Sequence, residues 1–156
     1  DFGEAPRENE IVVYDLETGA QLRKHALVPD GRIHMWNDVT VTADGTAWFT
    51  DMTVDQIWRI PPGGEAEPYL TLEENNNPNG IVAGKGGLLY VACLEEILVV
   101  DTADGWVGPI ERRRDTCTGL GDGLAYGPQI YPADGTRLAT AFAVWSVGKA
   151  SRTASE

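Results

Sequence analysis

Short runs of alternating apolar and polar residues, separated by turn residues, make up most of the chain. The segment from Asn37 to Asp51, N-D-V-T-V-T-A-D-G-T-A-W-F-T-D, has two such runs on either side of an Ala-Asp-Gly turn. Alternation with a period of two predicts half-buried β-strands, and a glycine-containing turn between two such runs predicts a hairpin. Turn residues interrupt every longer window before a 3.6-residue period can develop, so the pattern predicts no helix.

This unit recurs along the chain at a nearly constant spacing. The residues that open it, each followed by Asp or Gly, are Asn37, Asn79 and Asp122, so that successive openers lie 42 and 43 residues apart. A period of about 40–45 residues with several short strands in each repeat indicates a β-propeller. Because propeller blades are four-stranded sheets, each repeat is predicted to be one blade.

The predicted strands number two before the first opener, then four, four and three. In chain order they are Ile11–Leu16 and Gln21–Leu27; Asn37–Thr42, Ala47–Met52, Gln56–Ile60 and Ala66–Leu72; Gly80–Ala83, Leu88–Cys93, Ile97–Thr102 and Pro109–Arg113; and Asp122–Tyr126, Arg137–Phe142 and Val144–Val147. Closed rings usually have about four to eight blades, so the count predicts an all-β partial propeller of about three four-stranded blades. We expect one domain over residues 1–156, divided into the end of one blade (10–36), two blades (37–72 and 79–114), an incomplete blade (121–148) and a disordered tail (149–156).

Charge and composition narrow the possible partners. The 24 acidic and 12 basic residues give a net charge of −12, which a phosphate backbone would repel and a cation would not, so we expect no nucleic-acid partner. No apolar run approaches the roughly 20 residues of a membrane-spanning helix, so we expect no membrane partner. Two cysteines, Cys93 and Cys117, fit either one disulfide or two partly buried thiols and leave the cellular compartment open.

The three openers have a common place in the predicted fold. The first strand of a blade lines the central channel of a propeller, so a shared period carries Asn37, Asn79 and Asp122 to equivalent positions near one mouth of that channel. Two amide oxygens and one carboxylate are hard ligands of the kind that Ca²⁺ prefers. Asn and Asp beside Gly are also ordinary turn residues, and this second interpretation stays open.

The opening segment quoted above, together with P-N-G-I-V and G-D-G-L-A-Y, resembles the senescence marker protein/gluconolactonase family of calcium-dependent six-bladed propellers. The resemblance covers about residues 10–126 and depends on the order and spacing of the Asn-Asp, Asn-Gly and Asp-Gly pairs. It implies a partial six-bladed propeller that hydrolyses lactones or related esters. It also implies that Asn37, Asn79 and Asp122 bind Ca²⁺, that Asn37 contacts the substrate, and that Asp122 is the catalytic base or nucleophile.

One feature of the family has no clear counterpart. A glutamate from the first blade completes the family's calcium site, whereas Glu4 and Glu8 lie in the wrong phase of the repeat. An alternative function is therefore a non-catalytic propeller fragment that acts as a binding or interaction module. In either case the uncovered blade faces of a partial ring are expected to promote self-association.

Several other residues have competing interpretations. We expect His34 on a solvated loop in preference to a role as a pocket base, and His25 on an exposed outer strand. Trp36 fits a pocket mouth and a packing role equally well, and Asp51 either supports the metal site or caps its strand. The remaining expectations are a core position for Trp48, Trp58 and Tyr90, a solvated outer strand at Glu111–Arg114, and a hairpin turn, in preference to a phosphate loop, at Gly84–Gly87.

Overall fold

The computed structural model describes residues 9–110 with their side chains, and the backbone of residues 121–126 and 141–145. The described strands, in chain order, are β1 (Glu10–Tyr14), β2 (Gln21–Ala26), β3 (Trp36–Val41), β4 (Ala47–Asp51), β5 (Gln56–Ile60), β6 (Glu67–Thr71), β7 (Ile81–Ala83), β8 (Leu88–Ala92), β9 (Ile97–Asp101), β10 (Val107–Pro109), β11 (Gly121–Tyr126) and β12 (Ala141–Trp145). A short 3-10 turn, Lys85–Gly87, connects β7 to β8. Among the described residues no helix is long and apolar enough to cross a membrane.

The strands form four antiparallel sheets in which each strand pairs with the next one along the chain. Two sheets have four strands, in the orders β3-β4-β5-β6 and β7-β8-β9-β10, and two have two strands, β1-β2 and β11-β12. Successive hairpins of this kind are what the alternating pattern with its regular turns predicts. The predicted all-β partial propeller of about three four-stranded blades is therefore confirmed, and within the described residues it consists of two four-stranded and two two-stranded sheets.

The predicted strands from Ile11 to Thr102 agree with β1–β9 to within two residues at each end, but the predicted start of the next strand is wrong. The strand predicted to begin at Pro109 begins at Val107 and ends at Pro109 in the structure, and the predicted residues 111–113 lie outside the described part of the chain. The reason is the tight turn after β9, which is closed by a hydrogen bond from the Gly105 N–H to the Asp101 carbonyl. Because this turn is short, the chain reverses early and Val107 already pairs with Val100.

The last repeat also differs from expectation. Arg137–Phe142 and Val144–Val147 were expected as two strands, but the described residues 141–145 of this region form one continuous strand, β12 (Ala141–Trp145), paired with β11. The apolar run A-F-A-V-W continues through Ala143, which pairs with Leu124, so no break occurs there. The predicted outer strand at Glu111–Arg114 and the predicted tail 149–156 lie outside the described residues.

The core consists of two apolar layers on either side of the β3–β6 sheet. Because side chains alternate along a strand, the neighbours Trp48 and Phe49 of β4 point to opposite layers. Trp48 packs with Leu89 and Val91 of the β7–β10 sheet. Phe49 packs with Trp58 and with apolar residues flanking the β1–β2 sheet. Trp48 and Trp58 are buried, as expected for core residues, whereas Tyr90 is half-buried.

His25 of β2 was expected to be exposed, but it is buried against the residues that precede β6. It is 4% exposed, and its Nδ1 lies 3.1 Å from Oε2 of Glu65, which precedes β6. The prediction treated β2 as an outer strand with two exposed faces, but the structure buries His25 against Glu65 and leaves the other five β2 residues exposed.

Polar contacts join the innermost strands of neighbouring sheets. On β3, the Asp38 carboxylate accepts the Ile81 N–H (2.9 Å) and the Thr40 hydroxyl accepts the Ala83 N–H (3.0 Å). In the same way, β11 contacts the sheet that precedes it, at β7 and β8. The three strands that follow the openers are thus neighbours, β3 next to β7 and β7 next to β11.

Candidate functional site

Asn37 and Asn79, 42 residues apart in sequence, are in contact at one end of the innermost strands. Asn37 is the second residue of β3, and Asn79 lies two residues before β7. The Asn37 Nδ2 donates a hydrogen bond to Oδ1 of Asn79. Asn37 is exposed and Asn79 is 3% exposed, so the pair has one accessible and one anchored member.

The backbone of Asn79 is fixed on both sides. Its N–H donates to the Ala92 carbonyl (2.8 Å), and its own carbonyl accepts the Thr50 hydroxyl (2.6 Å). The same Thr50 oxygen accepts the Asp38 N–H at 3.2 Å. Thr50 is fully buried and therefore connects the openings of β3 and β7 directly.

Asp122, the third opener, is the second residue of β11, the strand beside β7. Its place in the strand matches that of Asn37 in β3. The structure describes the backbone alone here, so the expected metal-binding roles of Asn37, Asn79 and Asp122, the substrate contact of Asn37 and the catalytic role of Asp122 stay predictions.

Next to Asn37, a buried histidine lies between two carboxylates. The His34 Nδ1 is 2.5 Å from Asp51 Oδ2, and its Nε2 is 3.0 Å from Asp30 Oδ1. Asp51 ends β4 directly opposite Trp36, and its other oxygen accepts the Met35 N–H at 3.0 Å. His34 is 5% exposed, so its expected position on a solvated loop is wrong. Asp51 caps its strand and also holds the imidazole, a partnership that no local sequence pattern signals.

The charges around His34 shift its protonation. Burial by itself lowers the pKa of the imidazolium, but the hydrogen bonds and charges of Asp51 and Asp30 outweigh burial and raise the pKa above its ordinary value. The Arg32 guanidinium bonds to Asp30 and, with the Arg32 N–H and His34, holds the pKa of that carboxyl well below its usual range.

Trp36 has the packing role. Its indole ring lies 4.7 Å from the Phe49 ring and 5.3 Å from the Trp58 ring, centroid to centroid. Its backbone N–H donates to the Asn9 side chain at 2.8 Å. The aromatic cluster thus supports the strand position just before Asn37.

At the opposite ends of β3 and β7, a cleft of about 510 Å³ lies between the turns 42–44 and 84–87. The Gly84–Gly87 segment is the β7–β8 hairpin connection, as expected. β3 runs from Trp36 to Val41, so this cleft is separated from Asn37 by the length of the strand, roughly 16 Å.

Cys93 is the described cysteine and is a free, fully buried thiol. Burial, with smaller contributions from the Glu96 and Asp55 charges, raises its pKa to about 12. A thiol with that pKa has almost no thiolate at neutral pH and is a poor nucleophile. Cys117 lies outside the described residues, so the two alternatives for the cysteines, one disulfide or two thiols, stay predictions.

The described residues contain no group of three or more His, Cys, Asp or Glu side chains placed to hold a metal ion. The candidate set is of a different kind, because two of its three members are amides. Asn37 and Asn79 can offer carbonyl oxygens, the donor type that suits Ca²⁺ and fits zinc or copper poorly.

No protein-family model matches the chain, and no curated protein matches it. Solved structures do. The catalytically inactive H270A virginiamycin B lyase from Staphylococcus aureus, solved with quinupristin, has a TM-score of 0.61 at 22% identity over 83% of this chain and 41% of its own. A streptogramin B lyase has a TM-score of 0.60 at 21% identity over 85% of this chain and 41% of its own.

A protein of unknown function from Bacteroides caccae has a TM-score of 0.56 at 14% identity, over 86% of this chain and 54% of its own. With the sheet topology described above, these likenesses define the chain as part of a β-propeller. The chain spans about two fifths of the length of the two lyases, and the gluconolactonase-like assignment within the propeller class goes beyond what these likenesses show.

Proposed function

We propose that the chain is part of a calcium-dependent hydrolase of lactones or related esters, with its ion at the Asn37 end of the innermost strands. The observation that carries the proposal is the side-chain contact between Asn37 and Asn79, which brings two residues of one repeat phase together. Asp122 occupies the same phase on the next innermost strand.

The donor set fits the ion. Ca²⁺ accepts six to eight oxygen ligands, among them Asn carbonyls and Asp carboxylates, with waters filling the remaining positions. Asn79 is held by its backbone and would supply a rigid oxygen, while the exposed Asn37 would supply its own amide carbonyl. When bound, the ion would polarise the oxygen of an ester substrate. Asn37 would orient that substrate, and Asp122 would take the proton of the attacking water.

The lyase reaction named for the structural neighbours is not our proposal. The inactive lyase variant replaces a histidine, whereas the two histidines of this sequence, His25 and His34, are 4% and 5% exposed. Neither presents an accessible imidazole at the Asn37 end of the strands.

A second candidate is a non-catalytic binding module. It is favoured by Glu4 and Glu8, which lie in the wrong phase of the repeat to match the family's first-blade glutamate. Ester hydrolysis by a form that includes any further blades distinguishes the two functions, because a binding module retains ligand affinity without turnover.

Thermal unfolding with and without calcium tests the metal site. One carboxylate among three ligands implies weak affinity, with a Kd of about 1 mM, near the weak end of the range for protein sites. At about 10 mM Ca²⁺, mass action then stabilises the fold by about 1.4 kcal/mol. That corresponds to a Tm rise of about 3–6 °C. Mg²⁺ should substitute poorly, since it demands a tighter octahedral shell.

Variants identify the ligands. Asp122→Ala should abolish the rise in Tm and Asn79→Ala should reduce it sharply. Glu17→Ala is the matched control, because it also removes a carboxylate, but from the exposed β1–β2 turn far from the openers. If Asp122→Ala keeps the whole calcium response, the openers are turn residues and the proposed site does not exist.

A further inference from the structure

The geometry at His34 favours a charged imidazole. Both ring nitrogens face carboxylate oxygens, Nδ1 at 2.5 Å from Asp51 and Nε2 at 3.0 Å from Asp30. A neutral imidazole has one N–H donor and one lone pair, so one of these contacts would place a lone pair against an anion. The imidazolium has two donors and satisfies both carboxylates, with charge assistance at each.

The residues around Asp51 connect this cation to Asn37. The fully buried carboxylate of Asp51 also accepts the Met35 N–H, and the Met35 carbonyl accepts the Met52 N–H at 2.9 Å. The Thr53 hydroxyl donates to the Ile33 carbonyl at 2.7 Å. The segment 33–35 is thereby fastened to the turn after β4. Met52 in that turn contacts the Asn37 amide, with Sδ at 3.3 Å from Nδ2.

We propose that His34 is a positioning residue. Its imidazolium form fastens the segment 33–35 to the end of β4, and this keeps Asn37 in contact with Asn79. Loss of the proton loosens this fastening and weakens cation binding at the openers. The ligand part of the inference rests on the proposed function. The coupling between His34 and Asn37 does not, because it concerns contacts of the chain itself.

The groups that face the ring come from three elements. Asp30, on the connection after β2, is paired with Arg32, so its charge is partly balanced. Asp51 comes from β4, and the uncharged Trp58 ring of β5 meets the imidazole edge-on at 6.1 Å between centroids. Among the described residues, the charged groups in contact with the ring are therefore the two carboxylates, which favours the cation.

The sign of the pH effect follows from the raised pKa of His34. The stability that the imidazolium contributes is complete below about pH 6.5, the ordinary value, and is lost as pH rises through the raised pKa of the folded protein. The Asp30 carboxyl has a lowered pKa, so its share is present above about pH 4 and is lost in acid. The fastening is therefore intact between about pH 4 and pH 6.5, and it is released as pH rises through the raised pKa of His34.

A metal-free NMR titration of the 156-residue chain tests the coupling. We expect the His34 ring protons to titrate above about pH 6.5 and the Met35 and Asn37 backbone amides to shift with the same apparent pKa. Asp30→Asn removes the more exposed anion, and should move all three transitions to lower pH while the buried Asp51 contact remains. Absence of a common transition, or no movement in Asp30→Asn, would overturn the proposal.

The variant His34→Gln gives a second test, and His25→Gln is its matched control, since His25 is an equally buried histidine paired with a carboxylate, Glu65, away from the openers. His34→Gln should remove the pH transition at the Asn37 amide and raise the Ca²⁺ midpoint about fivefold or more. His25→Gln should leave both unchanged, and equal effects of the two variants would contradict a positioning role. If the parent chain has no calcium response, the proposed function fails, and the amide titration still decides the coupling.

Discussion

Thr50→Val removes the single hydroxyl that ties the openings of β3 and β7 together. The Thr50 oxygen donates to the Asn79 carbonyl at 2.6 Å and accepts the Asp38 N–H at 3.2 Å, in a fully buried position. Valine has nearly the same shape, so the substitution takes away hydrogen bonds and little packing. The lost bond is worth about 1 kcal/mol, and a buried carbonyl left without a partner costs a further 1–3 kcal/mol, roughly.

We therefore expect a destabilisation of about 3 kcal/mol, which lowers the Tm by about 6–12 °C in a chain of this length. Chemical denaturation gives the free energy of unfolding, and an unchanged m-value would show that the folded state itself was not expanded. Thr50→Ser is the control, because it keeps the hydroxyl and loses one methyl group, at a cost of about 1 kcal/mol. A valine variant as stable as the serine variant would refute the idea that this hydroxyl links the two sheets.

Three further outcomes are expected. In Cys117→Ser, the Cys93 thiol should react with a thiol reagent only on unfolding, because burial raises its pKa to about 12; fast labelling of the native chain would contradict this. The chain should self-associate, since Leu16, Val28 and Ile33 are 100%, 80% and 82% exposed around the β1–β2 sheet, and a compact monomer in micromolar sedimentation runs would argue against it. The isolated chain should hydrolyse lactones weakly or not at all, because a family ligand has no counterpart, and full calcium-dependent turnover would show that the chain needs no further blade.

The alternating pattern predicted most strands because strand geometry is local. The period of 42–43 residues also placed Asn37 and Asn79 at equivalent positions, and the structure brings these two side chains together. The fastening at His34 could not be predicted in the same way. Its contact with Asp51 depends on how β3 pairs with β4, including an irregular register between Trp36 and Val39, and such pairing leaves no mark on the local sequence.

The strand Val107–Pro109 illustrates a different limit. β propensity extends the apolar pattern past Pro109, but the Asp101–Gly105 turn sets where pairing with β9 begins. Thr50 was also missed, because a threonine within an apolar strand is what β propensity alone favours. The sequence marks Thr50 only as a hydroxyl residue in a predicted apolar strand, and nothing in it indicates the contact with Asn79.

The hydrogen bonds from Asp38 and Thr40 to the Ile81 and Ala83 N–H groups have a consequence for divergence between repeats. The donors are main-chain groups, so these two hydrogen bonds require particular side chains on β3 and none on β7, where core packing alone limits the choice at Ile81 and Ala83. Any residue except proline can stand at positions 81 and 83 without losing a donor. Neighbouring blades joined in this way can differ in sequence while their innermost strands stay in register.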